Sequence, residues 1–348
     1  MSASSLQFLV KHVGNMGDHV FLVPPVLETL KRIYPGCRIT LVTAWGYKHK
    51  EKWGKRNQGG FCVHLMMTNP HVDQLVHFHS TKTSLNKKIC FEDGIWFPTW
   101  SEQYYTQQVH SGTYDGVFEL DVGLTYEENP LEKIYRSLGM PNEKFSNYKL
   151  YFTEHDVSVA RSVMKNFPRP RIVLLEGLEG STTRGWDPDK IPDLEKSIER
   201  QYGAKPVWFG GKYAPEVAGR PLTLRENIAT LLDCDAAIGV LSGPLHFAAA
   251  VGLPTVALYG DLALRRAAPA YFLNPYIEDP RKLHRTILSP DQLPYQNLKS
   301  FRPDRNLTPA EVNTQRFVDW LNPGRQSTKS GAAAITVDEI MVVLSDTL

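Results

Sequence analysis

Residues 6–43 of this 348-residue chain read LQFLVKHVGNMGDHVFLVPPVLETLKRIYPGCRITLVT. The apolar run 6–10 is typical of a buried strand, and a glycine-containing turn follows it directly. Apolar residues then recur at helical spacing up to the Pro35-Gly36 stop, and RITLVT (38–43) predicts a second strand. A strand, a helix and a second strand in this order indicate an open parallel α/β sheet.

The same alternation continues along the rest of the chain. Strands are predicted over 74–78, 117–120, 171–176, 206–209, 236–240 and 255–259, and helices over 131–138, 191–202, 227–234, 245–251 and 337–344. The length exceeds one ordinary domain, so two are expected. We predict an N-terminal Rossmann-like domain over 1–160 and a C-terminal Rossmann-like domain over 161–325. Residues 326–348 would hold a mobile segment and a C-terminal helix that docks back on the body.

Composition excludes several classes of protein. Lys and Arg total 39 against 37 Asp and Glu, a formal charge of +2, which argues against a protein that coats a polyanion. The four cysteines lack any CxxC or Cys/His spacing, so neither a disulfide framework nor a zinc site is expected. No signal peptide or membrane-spanning run is visible, which favours a cytoplasmic location.

Three segments have residues suited to chemistry. The turn Gly14-Asn15-Met16-Gly17-Asp18 presents a carboxylate at a helix start, although an acid there also serves simply to stabilise the helix dipole. Ser242 and Gly243 precede a helix opened by proline, where backbone N–H groups would face an anion. His246 lies in the first turn of that helix and would either donate to a phosphate or pack as a buried histidine.

The third segment follows the strand 171–176. Thr182, Thr183 and Arg184 offer the hydroxyl and guanidinium donors that a diphosphate requires, but a polar surface loop would have the same composition. Two DxD sequences, 187–189 and 233–235, have the form used by metal-dependent glycosyltransferases. We interpret both as surface acids of a helix or loop, and no metal site is expected.

Together these segments resemble glycosyltransferase family 9, the bacterial heptosyltransferases. The motifs that carry the resemblance are Gly17-Asp18, Pro24 and LKRIYPG (30–36), then SGPLHFAAA (242–250), Pro254 and LYG (258–260). The similar regions are roughly 6–43 and 171–260. The resemblance implies the GT-B fold, with two Rossmann-like α/β domains facing a central cleft. It also implies that the N-terminal domain over 1–160 is acceptor-binding and that the C-terminal domain over 161–325 is nucleotide-sugar-binding.

The resemblance also implies roles for individual residues. Asp18 would be the general base that deprotonates the acceptor hydroxyl of a sugar transfer with inversion. Arg184 and His246 would stabilise the diphosphate leaving group without a metal, and no cofactor is implied beyond a nucleoside-diphosphate sugar as substrate. The other implied donor-binding residues are Thr182, Thr183, Gly210, Gly211, Leu222, Ser242 and Gly243.

The acceptor is less constrained by the sequence. Residues 91–126 contain nine aromatic residues, and Lys48 and Lys50 belong to a basic run after the second strand. Trp96 and Trp100 could stack on a sugar or a base, whereas the alternatives are a compact insert with its own core and a solvated loop. The predicted acceptor site comprises Gly14, Asn15, Met16, Gly17, Lys48, Lys50, Trp96 and Trp100.

Two alternatives to a saccharide or glycolipid acceptor stay open. The basic run beside the aromatic segment suits a glycosyltransferase that acts on modified bases of DNA. Leu241 stands where the family pattern has an aspartate, which would suit a non-catalytic nucleotide-sugar-binding protein. The nucleotide base, the sugar and the oligomeric state are not encoded in any of these motifs.

Overall fold

The computed structural model describes residues 5–14, 16–44, 61–79, 86–90, 96–121, 130–143, 149–175, 186–210, 216–217, 220–240, 242–259, 284–288 and 335–348. The chain forms two compact units. The first comprises Met1–Val122, Leu131–Val157 and Thr223–Glu226, and the second comprises Gly123–Pro130, Ser158–Leu222 and Asn227–Leu348.

The first unit is built on a six-stranded sheet of order β4-β5-β3-β2-β1-β6. Its strands are β1 (Gln7–His12), β2 (Arg38–Ala44), β3 (Gln74–His79), β4 (Asn86–Cys90), β5 (Trp96–Ser101) and β6 (Gly116–Glu119). All neighbouring strands are parallel except β4, which pairs antiparallel with β5 at the edge. The helices in this part of the chain are α1 (Met16–Ile33), α2 (Phe61–Met66), α3 (Glu102–His110), α4 (Pro130–Ser137) and α5 (Glu154–Met164).

Helix α1 begins two residues before Asp18 and includes two prolines, at 24 and 25. Proline inside a helix normally weakens it, since it removes a backbone donor. Here the Pro25 carbonyl accepts a hydrogen bond from Tyr135 of α4 at 2.9 Å, and the same hydroxyl lies 2.7 Å from Thr29 Oγ1. Side chains including Leu22, Leu27 and Leu30 are fully buried along α1, so tertiary packing stabilises this helix despite its prolines.

The second unit has a five-stranded parallel sheet of order β13-β12-β11-β7-β8. Its strands are β7 (Ile172–Leu175), β8 (Val207–Phe209), β11 (Ala236–Val240), β12 (Thr255–Tyr259) and β13 (His284–Leu288), and a separate antiparallel pair is formed by β9 (Glu216–Val217) and β10 (Arg220–Pro221). The remaining helices are α6 (Ile191–Tyr202), α7 (Leu224–Thr230), α8 (Gly243–Ala250) and α9 (Val337–Ser345). Every residue of β7, β11 and β12 is buried, as expected of parallel strands covered on both faces.

The C-terminal helix α9 packs into the core of the second unit. Ile340, Met341 and Leu344 are buried in the same apolar cluster as Trp186 of the segment before α6. The Trp186 indole N–H donates to the Ile335 carbonyl at 2.9 Å, just before α9 begins. Residues 326–334, which the sequence predicts to be mobile, lie outside the described part of the chain.

Candidate functional site

The turn between β1 and α1 lies at the carboxyl edge of the first sheet. Strand β1 ends at His12 and α1 starts at Met16, so Asp18 lies half-buried in the first turn of the helix. Open α/β sheets bind ligands outside the carboxyl ends of their strands. This is the position that the sequence predicts for the glycine turn. Asn15 and the Met16 side chain lie outside the described residues.

Gly14 makes the closest approach in this turn. A Cβ at position 14 would lie 2.6 Å from His12 Nε2 and 3.2 Å from Asp18 Oδ2. Carbon atoms do not come this close to a ring nitrogen without displacing it, so only glycine fits here with these neighbours in place. The His12 imidazole and the Asp18 carboxylate therefore both border the space beside Gly14.

His12 and Asp121 form a pair that the sequence reasoning missed. Strand β6 is the neighbour of β1, and Asp121 follows its carboxyl end. His12 Nδ1 lies 2.9 Å from Asp121 Oδ1, and the Val13 N–H donates to both carboxylate oxygens at 3.1 and 3.0 Å. The available signal was a polar residue within two positions of the end of each of two predicted strands, but nothing in the sequence shows that those strands are neighbours.

The pKa of Asp121 reflects these contacts. Burial by itself would raise the pKa of this carboxyl, but the His12 ring, the Val13 N–H and the Lys11 charge together bring the pKa below its usual value. Asp121 is therefore a carboxylate at neutral pH. Its Oδ1 lies 2.9 Å from Nδ1 of the His12 ring.

The second candidate site is the start of α8, at the carboxyl end of β11. Ser242 is the N-cap residue, with an extended backbone (φ −156°, ψ 170°) and a side chain that makes no capping hydrogen bond. Its Oγ is buried without a hydrogen-bond partner among the described residues. Pro244 opens the helix, and the first backbone N–H groups of a helix have no partner within it. A helix start of this kind suits an anion.

His246 lies on the same helix and is only 4% exposed. Burial lowers the pKa of this imidazole to about 4, because an imidazolium is poorly solvated in an apolar surrounding. At neutral pH the ring is therefore uncharged and has one N–H donor. The interpretation as a buried histidine is confirmed, and donation to a phosphate stays a prediction.

Two other predicted donor-binding residues, Gly210 and Leu222, fall at loop positions among the described residues. Gly210 ends β8 with φ +85°, a left-handed conformation that favours glycine. Leu222 is half-buried just before α7. Thr182, Thr183, Arg184 and Gly211 lie outside the described residues, as does Leu241.

Trp100 is part of the core. It is 5% exposed on β5, packs in the apolar cluster of the first sheet, and makes an edge-to-face contact with Tyr104 at 5.3 Å. It therefore contributes packing and is not included in the acceptor site proposed below. Lys48, Lys50 and the side chain of Trp96 lie outside the described part of the chain.

The acids of the second DxD sequence are engaged in ion pairs. Asp233 Oδ1 lies 2.9 Å from the Arg169 guanidinium and Asp235 also contacts Arg169, while the Arg171 backbone N–H donates to Asp235 at 2.7 Å. These contacts join the chain before β7 to the chain before β11. In the first DxD sequence, Asp187 accepts a hydrogen bond from the Asp189 N–H. Within the described ranges, no group of three or more His, Cys, Asp or Glu side chains is arranged to hold a metal ion.

Comparison with known proteins gives a partial family match and a full-length structural one. Residues 211–274 match the model of glycosyltransferase family 9 (heptosyltransferase). No curated protein matches the chain. The range 211–274 includes α7, β11, α8 and β12, and therefore the Ser242–His246 segment.

Among solved structures, the family 9 glycosyl transferase from Veillonella parvula DSM 2008 aligns with a TM-score of 0.57 and 16% identity, over 100% of this chain and 98% of that chain. E. coli ADP-heptose lps heptosyltransferase II aligns with a TM-score of 0.51 and 16% identity, over 91% of this chain and 100% of that chain. The iron-containing dodecameric glycosyltransferase TibC from enterotoxigenic E. coli H10407 aligns with a TM-score of 0.51 and 12% identity, over 99% of this chain and 76% of that chain. These similarities confirm the predicted GT-B fold, and the family match confirms the predicted resemblance to family 9.

Proposed function

We propose that the chain is an inverting, metal-independent glycosyltransferase that moves a sugar from a nucleoside-diphosphate donor to a hydroxyl acceptor. The observation that carries this proposal is the family 9 match over residues 211–274. It coincides with a helix start that has a buried serine hydroxyl and a buried neutral histidine. In an α/β protein this is a common position for a phosphate.

On the donor side, the first N–H groups of α8 and the Ser242 hydroxyl would bind diphosphate oxygens. His246 would add one hydrogen bond from its neutral ring, so the positive charge that balances the leaving group would come from Arg184 and the helix dipole. Thr182 and Thr183 would add hydroxyl donors. Gly210, Gly211 and Leu222 would line the nucleotide site.

On the acceptor side, Asp18 would remove the proton of the attacking hydroxyl. The acceptor oxygen then forms a bond to the anomeric carbon while the bond from that carbon to the diphosphate oxygen breaks on the opposite face, which inverts the configuration. Gly14 and Gly17 allow backbone approach, and Lys48, Lys50 and Trp96 would contact an anionic saccharide or glycolipid. Along the described stretches, no helix is long and apolar enough to cross a bilayer.

The test is a donor panel measured with saccharide acceptors, with and without EDTA. ADP-heptose comes first because one structurally similar E. coli enzyme is named for it. We expect transfer that EDTA does not abolish, a product of inverted configuration by NMR, and a fall in kcat of about 10²- to 10⁴-fold for Asp18→Asn. The matched control is Asp338→Asn, since Asp338 is likewise a first-turn helix acid, in α9.

Three results would contradict the proposal. Normal turnover by Asp18→Asn would remove the base assignment. Donor binding with no transfer to any acceptor would favour the non-catalytic nucleotide-sugar-binding protein. Salt-dependent binding to duplex DNA, together with transfer only to hydroxymethylated bases, would favour the DNA-modifying alternative.

A further inference from the structure

The His12–Asp121 pair is held rigidly at the carboxyl edge of the first sheet. Asp121 is fixed by the Val13 backbone N–H and by His12 Nδ1. The His12 ring is 3% exposed, and its centroid lies 4.4 Å from that of His19 in α1. His19 in turn hydrogen-bonds Thr43 Oγ1 at the end of β2 and lies 3.2 Å from the His12 carbonyl oxygen. The imidazole of His12 is therefore buried between Asp121 and His19.

The remaining nitrogen of that ring and the Asp18 carboxylate border the same space beside Gly14. Nε2 of His12 and Oδ2 of Asp18 lie 2.6 and 3.2 Å from the same point, the place where a Cβ of residue 14 would be. Nε2 is buried and has no hydrogen-bond partner among the residues that the structure describes. A buried polar atom in this state costs free energy, and it borders the same space as the carboxylate that the proposed reaction protonates.

The charged and titratable groups around His12 determine which nitrogen has the proton. Asp121 faces Nδ1 from the β6 end, His19 and Asp18 face the ring from α1, and the Lys11 ammonium is directed to Glu119 at 3.5 Å. Because Nδ1 contacts a carboxylate, the neutral ring has its proton on Nδ1. Nε2 is then a lone-pair acceptor.

We propose that His12, oriented by Asp121, is the group that takes the proton from Asp18 during transfer. The inference rests on the proposed function. As the acceptor oxygen bonds to the anomeric carbon and the diphosphate leaves, the hydroxyl proton passes to Asp18 and from there to Nε2 of His12. The resulting imidazolium is paired with the Asp121 carboxylate, and its proton returns to solvent after the product leaves. His12 and Asp121 are thus positioning residues that make Asp18 a stronger base.

The kinetic test uses His12→Gln and Asp121→Asn, with His71→Gln as a control at a half-buried histidine of the loop after α2. We expect kcat to fall at least about tenfold in both variants with little change in acceptor KM, and the control to match the unaltered protein. In His12→Gln the acidic limb of the kcat–pH profile should move to lower pH, because a carboxyl ordinarily titrates below an imidazole.

A fall in kcat with an unmoved acidic limb would mean that His12 only supports the turn, and it would overturn the proposal. The proposal would also be overturned if His12→Gln kept the kcat of the unaltered protein while Asp18→Asn was inactive. The proposed function would then remain intact. If the unaltered chain transfers no sugar from any donor, the proposed function is wrong, and so is the proposed proton transfer from Asp18 to His12.

A second measurement does not depend on activity or on whether His12→Gln folds. Nitrogen-15 NMR of histidine-labelled protein reports which ring nitrogen is protonated. We expect His12 to be the Nδ1–H tautomer at neutral pH and Asp121→Asn to lose this preference. An Nε2–H tautomer in the unaltered protein would contradict the proposal, because Nε2 could then accept nothing from Asp18.

Discussion

Gly14 determines how closely His12 and Asp18 approach one another. We expect Gly14→Ala to reduce kcat at least about tenfold, because its Cβ would displace the His12 ring or the Asp18 carboxylate. Steady-state kinetics and thermal unfolding would be measured together. The control is Gly139→Ala, at φ +73° with open space around the position, which should cost about 1–2 kcal/mol of stability from the left-handed backbone and leave kcat unchanged. Equal kcat in the two variants would show that the close approach of His12 and Asp18 at Gly14 has no part in catalysis.

His246 provides the residue-scale test of the donor site. Its ring is neutral at pH 7 because burial lowers its pKa to about 4, so a neutral donor should replace it better than an apolar residue. We expect His246→Gln to retain more affinity for a nucleoside diphosphate than His246→Ala, measured by calorimetry. His284→Gln is the matched control, since His284 is also buried but bonds Thr255 at the amino end of β12. Identical affinities for the two His246 variants would exclude a hydrogen bond to the ligand.

At the scale of elements, α9 begins with a capping box. The Glu339 N–H bonds Thr336 Oγ1, and the Glu339 carboxylate accepts from the Thr336 backbone N–H at 2.7 Å. This backbone bond, with the one from the Thr336 hydroxyl, lowers the pKa of Glu339. The stabilisation is present above the unfolded-state pKa and is lost as the pH falls through the lower folded-state value.

We therefore expect Thr336→Ala to cost about 0.5–2 kcal/mol, and Glu339→Gln to lower Tm more at pH 7 than at pH 3. The measurement is thermal unfolding of both variants beside the unaltered chain at the two pH values. An equal Tm difference at both would show that the carboxylate charge has no part in the cap.

The sequence predicted the regular elements where apolar spacing was strong. Helix α6 and strands β11 and β12 have the predicted bounds. Strands β4, β5 and β13 were not predicted, because NKKIC and HRTIL lack a clear period and β5 begins inside the aromatic segment. Helix α1 is also longer than its periodicity indicates, since Tyr135 and a buried surface stabilise it around two prolines.

For the whole molecule, two buried histidines couple stability to pH. Burial lowers the pKa of both His246 and His284 from 6.5 to about 4. Between these values the unfolded chain binds protons that the folded chain does not, so acid lowers the free energy of unfolding. Each histidine contributes a slope of up to about 1.4 kcal/mol per pH unit. Urea unfolding measured between pH 7 and pH 4 should give a free energy of unfolding that depends less steeply on pH in His284→Gln than in the unaltered chain. An equal dependence on pH would contradict this account.

The sequence by itself determined the alternation of strands and helices, the resemblance to family 9, and the location of Asp18 and Ser242 at strand ends. These follow from local spacing, which a chain shows without being folded. Only the tertiary structure decided that His12 pairs with Asp121, that Trp100 packs in the core and that His246 is uncharged. The reason is physical. Strands β1 and β6 become neighbours, and Val13 and Asp121, which follow them, form a hydrogen bond although they are 108 positions apart. Burial likewise depends on distant segments that close over a side chain.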